Sequence, residues 1–330
     1  MVLPDSERVE MNLRYRNFHP RDTADCLHLL ESRPEYDARL LAQLPLFWKR
    51  LFDEQAILSA VIEQCKPRTP TQILGFGADV FVTDSFIGEA RRGREPGLTS
   101  RVVGLELSGR ASPILRRDAI ARANAGNGLN VIVLNVATAA RSSDYAIRYR
   151  LLEGFIWLHR GYLIKECLHE VWDETDSTWS KAVHGTVRTD YAQFYQRMKC
   201  SVPRYRPYLV GITSEEALKN PGSVAAPVFL YSRPRLGFSP RAQELLAGAL
   251  DGETDIEIAN ALHLSVAAVK MRWRFIYNRV GLVAPDLLPK PTSQVSEFVR
   301  GQEKRRRIVE YVRNHPEELR PFRVSRAATK

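Results

Sequence analysis

Apolar and polar positions alternate differently in the front and the rear of this chain. In the front, Leu13 to Tyr15 predicts a short strand, and Asp22 to Leu30 a helix with Cys26, Leu27, Leu29 and Leu30 on its apolar side. Tyr36 to Gln64 reads as one long helical stretch carried by Leu40, Leu44, Phe47, Leu51, Leu58, Val61 and Ile62, with Pro45 expected to break or kink it. Ile73 to Val82 predicts a strand with Gly75 and Gly77 as bulge positions, and Asn130 to Asn135 a buried strand of Val, Ile and Leu. Between them, Arg91 to Ser100 is rich in Gly, Arg and Pro and predicts an exposed loop. Arg148 to His159 predicts a helix and Tyr162 to Val171 a strand. Pro207, Pro221, Pro227 and Pro234 then interrupt Tyr205 to Gly237, which predicts a connection, with Val228 to Tyr231 as a last strand.

From Phe238 to Gly281 the pattern becomes purely helical, in three short pieces. Ser239 caps the first and Pro240 suits its first turn, with Leu245, Leu246, Ala249 and Leu250 apolar. Asp251-Gly252 stops it. Thr254 and Glu257 match a capping box for the second piece, in which Ile258, Ala259 and Leu262 face inward. Ser265 caps the third. There Val269, Trp273, Ile276 and Val280 recur at helical spacing and predict one buried stripe. The opposite side carries Ala267, Lys270, Met271, Arg274 and Asn278, with Arg272 at its flank. The acidic residues of the segment all precede this helix and its basic residues concentrate on it. A capped helix with a basic exposed side suits the major groove, where Lys and Arg reach base edges and backbone amides meet phosphates.

Charge strengthens that reading. The chain of 330 residues has a formal net charge of +10, which favours a polyanionic partner. At 44% hydrophobic it can build real cores, which excludes wholesale disorder. Its four cysteines, Cys26, Cys65, Cys167 and Cys200, are scattered and read as reduced thiols of a cytoplasmic protein. Cys167 and His169 lack further ligands for a metal, and no cofactor is expected. The opening residues lack the apolar core of a secretory leader, and Leu129 to Ala140, the most apolar stretch, is too short and polar to cross a bilayer. His159, His169 and His184 come without a Ser or Cys nucleophile motif and read as structural.

The segment Phe238 to Gly281 resembles the LuxR type of helix-turn-helix regulators, including NarL-like DNA-binding halves. Phe238-Ser239-Pro240-Arg241, Glu244, Gly252, Thr254, Glu257-Ile258-Ala259, Leu262, Ser265, Val269-Lys270, Ile276-Tyr277 and Gly281 carry the likeness without gaps. Gly248 and Glu253 stand where the family usually has leucines, and Val266-Ala267-Ala268 replaces the common Glu-Lys-Thr. The resemblance implies a recognition helix Ser265–Val280 in the major groove, with Thr254, Ser265, Ala267, Lys270, Met271, Arg272, Arg274 and Asn278 as the DNA-contacting set. It also implies a homodimer on double-stranded DNA; the alternatives are a three-helix element retained for packing or partner binding, region 4 of sigma factors, which shares this architecture, and an interaction module acting through RNA polymerase. Behind it, a helix from Val295 to Arg313 carries Lys304-Arg305-Arg306-Arg307, which either grips phosphates or is a solvated face.

The first two hundred residues resemble GNAT acyltransferases more faintly, through the order of Ile73–Val82, Asn130–Asn135 and Phe155–Gly161. Such enzymes hold the pyrophosphate of acetyl-CoA in a Gln/Arg-x-x-Gly-x-Gly/Ala turn at a helix N-terminus. Arg94 to Thr99 and Ala123 to Gly128 are near misses to that turn. The expected architecture is therefore α+β. A mixed α/β sensor-like domain (1–204) and a linker (205–237) precede an all-α helix-turn-helix domain (238–284) and a basic helical tail (285–330). The leading functional expectation is a transcription regulator rather than an enzyme, the alternative a GNAT-type acyltransferase with an accessory helix-turn-helix.

Overall fold

The computed structural model describes residues 12–65, 71–139, 145–173, 185–201, 206–289 and 297–323. They form two compact units. One comprises residues 1–117, 129–159 and 164–229; the other comprises residues 118–128, 160–163 and 230–330.

The first unit is built on one seven-stranded sheet. Its strands are β1 (Leu13–Asn17), β2 (Leu58–Gln64), β3 (Gln72–Val82), β4 (Leu129–Thr138), β5 (Ile164–Asp173), β6 (Thr186–Thr189) and β7 (Arg206–Thr213), in the order β1-β2-β3-β4-β5-β7-β6. All neighbours are antiparallel except β4 and β5. Helices α1 (Thr23–Leu30) and α2 (Ala38–Asp53) share one apolar core with the sheet, where Trp48 of α2 meets Phe76 of β3 edge-on at 5.0 Å. Helix α6 (Tyr145–His159) packs on β1, β2 and β3. Gly154 is the residue that lets α6 approach, since a Cβ there would lie 2.3 Å from the Tyr15 ring.

Several expectations change. The stretch Tyr36–Gln64 is a helix followed by a strand. Gln55 takes a positive φ of 51° between them, and β2 is buried, so its unbroken apolar run reflects a central strand and not a helix. Pro45 does not break α2, which runs through it from its Asp37 cap. Helices α3 (Asp84–Arg91), α4 (Leu98–Leu107) and α5 (Arg117–Ala125) lie between β3 and β4 in sequence. The expected loop Arg91–Ser100 therefore ends in the first turn of α4, whose Leu98, Val102 and Val103 are buried. Helix α4 is further anchored by Glu106, a buried carboxylate bound by Arg50 at 3.1 Å and Arg116 at 2.7 Å. Two short helices, α7 (Ala192–Met198) and α8 (Ser214–Lys219), flank β7 in sequence. The expected strand Val228–Tyr231 is instead a 3-10 turn, Ala226–Phe229.

The second unit contains helices α9 (Pro240–Leu250), α10 (Asp255–Ala261), α11 (Val266–Val283) and α12 (Glu297–Asn314) around one core. Ser239 caps α9, Thr254 and Glu257 form a capping box on α10, and Ser265 caps α11. Val269, Trp273, Ile276 and Val280 are buried, joined by Ile308 and Val312 of α12. Residues 290–296, where the tail helix was expected to begin, lie outside the described residues. The fully buried Glu318 ties the unit together, because its carboxylate accepts from the backbone N–H of Arg235, Leu236 and Gly237. Gly161 has a φ of 89°, and a Cβ there would sit 2.5 Å from the Glu317 Cα. Among the described residues, no helix is long and apolar enough to cross a membrane.

Candidate functional site

The sheet of the first unit opens in its middle. Strands β4 and β5 pair from Leu129↔Ile164 to Val133↔His169. Beyond that point β4 continues beside β3 as far as Thr138, and β5 beside β7 as far as Asp173. The two strands therefore part, each still held on its outer side. The parting begins at a bulge: Asn135 pairs with Ala78 and Val133 with Asp79, which leaves Leu134 without a partner on β3. The Leu134 carbonyl is satisfied by side chains instead, accepting from Tyr36 Oη at 3.1 Å and Thr99 Oγ1 at 3.0 Å. Asn135 Nδ2 donates to Tyr36 Oη at 2.8 Å, and Trp48 Nε1 donates to Asn135 Oδ1 at 3.2 Å. A buried chain of hydrogen bonds thus runs from α2 through β4 to the segment between α1 and α2. Burial pushes the Tyr36 phenol up, so it stays protonated as a donor.

The cleft at this parting is lined by Glu35 and Tyr36, by Leu134 of β4, and by His169, Glu170 and Trp172 of β5. Its empty volume is about 430 Å³, open solvent included. The two carboxylates in it differ sharply. Glu170 accepts from Gly97 N at 2.8 Å, Leu98 N at 3.2 Å, Trp172 Nε1 at 2.9 Å and Tyr191 Oη at 2.6 Å. It is an anion capping α4. Burial and the Glu170 charge push the Tyr191 phenol up, so it too stays a donor. Glu35 is only 16% exposed, has Arg33 as a distant partner at 3.4 Å, and keeps a buried Oε2 with no hydrogen-bond partner among the described residues. Burial pushes its carboxyl up; Arg33 opposes this and Glu170 adds to it.

The sequence reading passed over these groups. Glu35 sits in Arg33-Pro34-Glu35, an unremarked break, and Glu170 lies in an ordinary strand. Nothing local marks either, because the cleft brings together segments far apart along the chain. Of the histidines, His169 lines the cleft, and His159 is buried with Nδ1 2.8 Å from the Phe155 carbonyl. His184 lies outside the described residues. The near misses to a phosphate turn do other work. Arg94–Thr99 does open a helix, but its Gly97 and Leu98 amides are spent on Glu170. Ala123–Gly128 ends α5, where Gly128 N returns to the Ala123 carbonyl at 2.8 Å, and β4 follows.

The expected DNA-contacting residues lie in the second unit. Thr254 and Ser265 are exposed caps, and Ala267, Lys270, Met271, Arg274 and Asn278 are exposed on α11. Arg272 is half-buried, 3.6 Å from Glu244. Exposed apolar residues share α11 with them: Met271, Phe275 and Leu282 are 48%, 66% and 83% exposed. The tail cations are engaged internally. Arg305 bonds Asp255 at 2.6 Å and lies over the Trp273 ring at 4.8 Å. Arg306 and Arg307 both pair with Glu303, at 2.9 and 2.8 Å.

No family model matches the chain, and no curated protein matches it. Solved structures do, all at low identity. NAA60 of Arabidopsis thaliana in complex with a bisubstrate analogue is 12% identical, with 61% of this chain and 98% of that chain covered and a TM-score of 0.34. Apo FdhC, described as a nucleotide-linked sugar GNAT, is 10% identical, covering 67% of this chain and 96% of its own at a TM-score of 0.32. An acetyltransferase of the GNAT family from Streptococcus pneumoniae is 12% identical, covering 61% and 99% at a TM-score of 0.31. The expectation of a DNA-binding regulator that is not an enzyme is thereby corrected. Two of these structures are described as GNAT proteins, one of them an acetyltransferase.

Proposed function

We propose that the first unit is an acyltransferase that moves an acyl group from an acyl-CoA thioester to an amine, with Glu35 as the general base. The observation that carries this reading is the parting of β4 and β5 at the Leu134 bulge, with an incompletely bonded, buried carboxyl at its mouth. The sheet order β1-β2-β3-β4-β5-β7-β6, with its one parallel pair, supports it as the GNAT arrangement.

The residues present suit the reacting ends better than the nucleotide. The link from β4 to α6 reads Ala139-Ala140-Arg141-Ser142-Ser143-Asp144 and holds no glycine, and residues 140–144 lie outside the described ones. Acyl-CoA affinity is therefore expected below that of a chain with a glycine-rich turn. In the cleft, Glu35 takes a proton from the acceptor ammonium. The freed amine nitrogen attacks the thioester carbonyl, the C–N bond forms, the C–S bond breaks, and the leaving thiolate takes up the second proton that the nitrogen sheds. A carboxyl raised above its ordinary value is a stronger base than an ordinary one.

Calorimetric titration of the whole chain with acetyl-CoA tests the reading, together with thiol release over a panel of amines. Micromolar heat release and amine-dependent thiol release that disappears in Glu35→Gln are expected. Absence of acetyl-CoA binding up to millimolar concentration would sink the proposal.

A further inference from the structure

A second cavity of the first unit lies between the end of α3 and the start of α4, lined by Gly93, Pro96, Gly97, Leu98, Arg101 and Tyr191. Arg101 is the cation in it. Its guanidinium lies 4.9 Å over the Phe86 ring, and its Nε is buried with no hydrogen-bond partner among the described residues. The nearby carboxylates do not serve it. Glu170 is held by Gly97, Leu98, Trp172 and Tyr191, and Glu95 is exposed at the cavity wall. A partly desolvated guanidinium with an unused donor costs free energy unless an anion meets it. The Phe86 ring beneath it favours the cation, and a guanidinium fork suits a bidentate oxyanion.

We infer that Arg101 is an anion subsite that takes the carboxylate or phosphate group of the acceptor whose amine is placed at Glu35. Gly97 lines both this cavity and the β4/β5 cleft, so the two are neighbours. The assignment of the anion to the acceptor rests on the acyl-transfer reading; anion binding at Arg101 does not.

The test is ligand-observed NMR on the full chain with inorganic phosphate and, separately, propionate, run beside an acetyl-CoA titration. Wild type binds at least one of the two probes, and which one distinguishes a phosphate from a carboxylate acceptor. Arg101→Gln weakens that binding roughly tenfold and Arg101→Lys less, in keeping with one lost charge-assisted pair. Glu95→Gln, an exposed change that leaves the fold alone, tightens it roughly twofold by removing a like charge. Binding of neither probe by wild type, or equal binding by folded Arg101→Gln, overturns the subsite. Should Arg101→Gln fail to fold, Glu95→Gln decides, and unchanged affinity there overturns it. Arg101-dependent anion binding without acetyl-CoA binding would instead sink the transferase reading and leave the subsite standing.

Discussion

The helix α11 and the β4/β5 cleft are the two regions of this molecule where chemistry gathers, and they are built in opposite ways. Helix α11 is local. Its cap, its buried stripe and its exposed side all lie within 18 consecutive residues. The cleft is assembled from four distant pieces: the break before α2, the start of α4, β4 and β5. The local region announces itself in the sequence and suggests a function that the comparisons do not support. The assembled region leaves almost no local trace, yet it holds the buried carboxyl and the parted strands. A motif built from consecutive residues reports packing reliably, because caps and periodicity are short-range effects. It reports function only as well as its exposed side chains do.

The sharpest way to break this comparison is Glu35→Gln. Acyl transfer should fall about 10²- to 10⁴-fold while acetyl-CoA affinity stays level, the pattern of a lost general base. Steady-state kinetics with calorimetry decides it; a variant that keeps full turnover would return Glu35 to a merely structural role. Next in size is Trp273→Ala, which empties the centre of the helical core and removes the ring under Arg305. Denaturant melts should show a loss of about 3–5 kcal/mol. A loss below about 1 kcal/mol would mean that α11 is not packed as described.

Trp48→Phe probes the hydrogen-bond chain behind the cleft. It keeps the ring on Phe76 but strips the donor from the buried Asn135 Oδ1. The expected cost is about 1–3 kcal/mol of stability, with lowered turnover because Asn135, the partner of Tyr36, loses its own anchor. The pH profile sharpens the contrast between the two cleft glutamates. The Glu35 carboxyl is raised in the folded state, so its neutral form stabilises the fold. That contribution is complete below the usual carboxylate range and is lost as pH rises through the Glu35 value. Turnover should rise over the same window, since the base must ionise. Paired thermal melts of wild type and Glu35→Gln from pH 4 to 8 test this, and parallel curves would contradict it. The smallest effect is expected from Lys270→Ala with Arg274→Ala. Both residues are exposed, so stability should change by about 0.5 kcal/mol or less and acyl transfer not at all.

Much of the fold was legible where the signal was local. The strand at 130–135, the helix ending at His159, and the caps at Ser239, Thr254 and Ser265 follow from periodicity and side-chain chemistry. Strand β2 was not legible, because an apolar run buried on both faces has no period to separate it from a helix. Helix α4 was hidden by composition. Glycine and arginine around Arg91–Gly97 masked a segment whose order comes from contacts with Glu170 and Arg50.

By itself, the sequence determined the capped helices of the rear and the presence of apolar strands in front, since those depend on bonds within a few residues. It also determined the absence of glycine after β4, which weighs against a tight nucleotide cradle. Only the tertiary structure decided that β4 and β5 part at Leu134, that Glu35 faces the gap with an unused oxygen, and that Glu170 is consumed in holding α4. Pairing between strands, and the burial that shifts a carboxyl, are set by partners far along the chain. No local pattern of side chains encodes them.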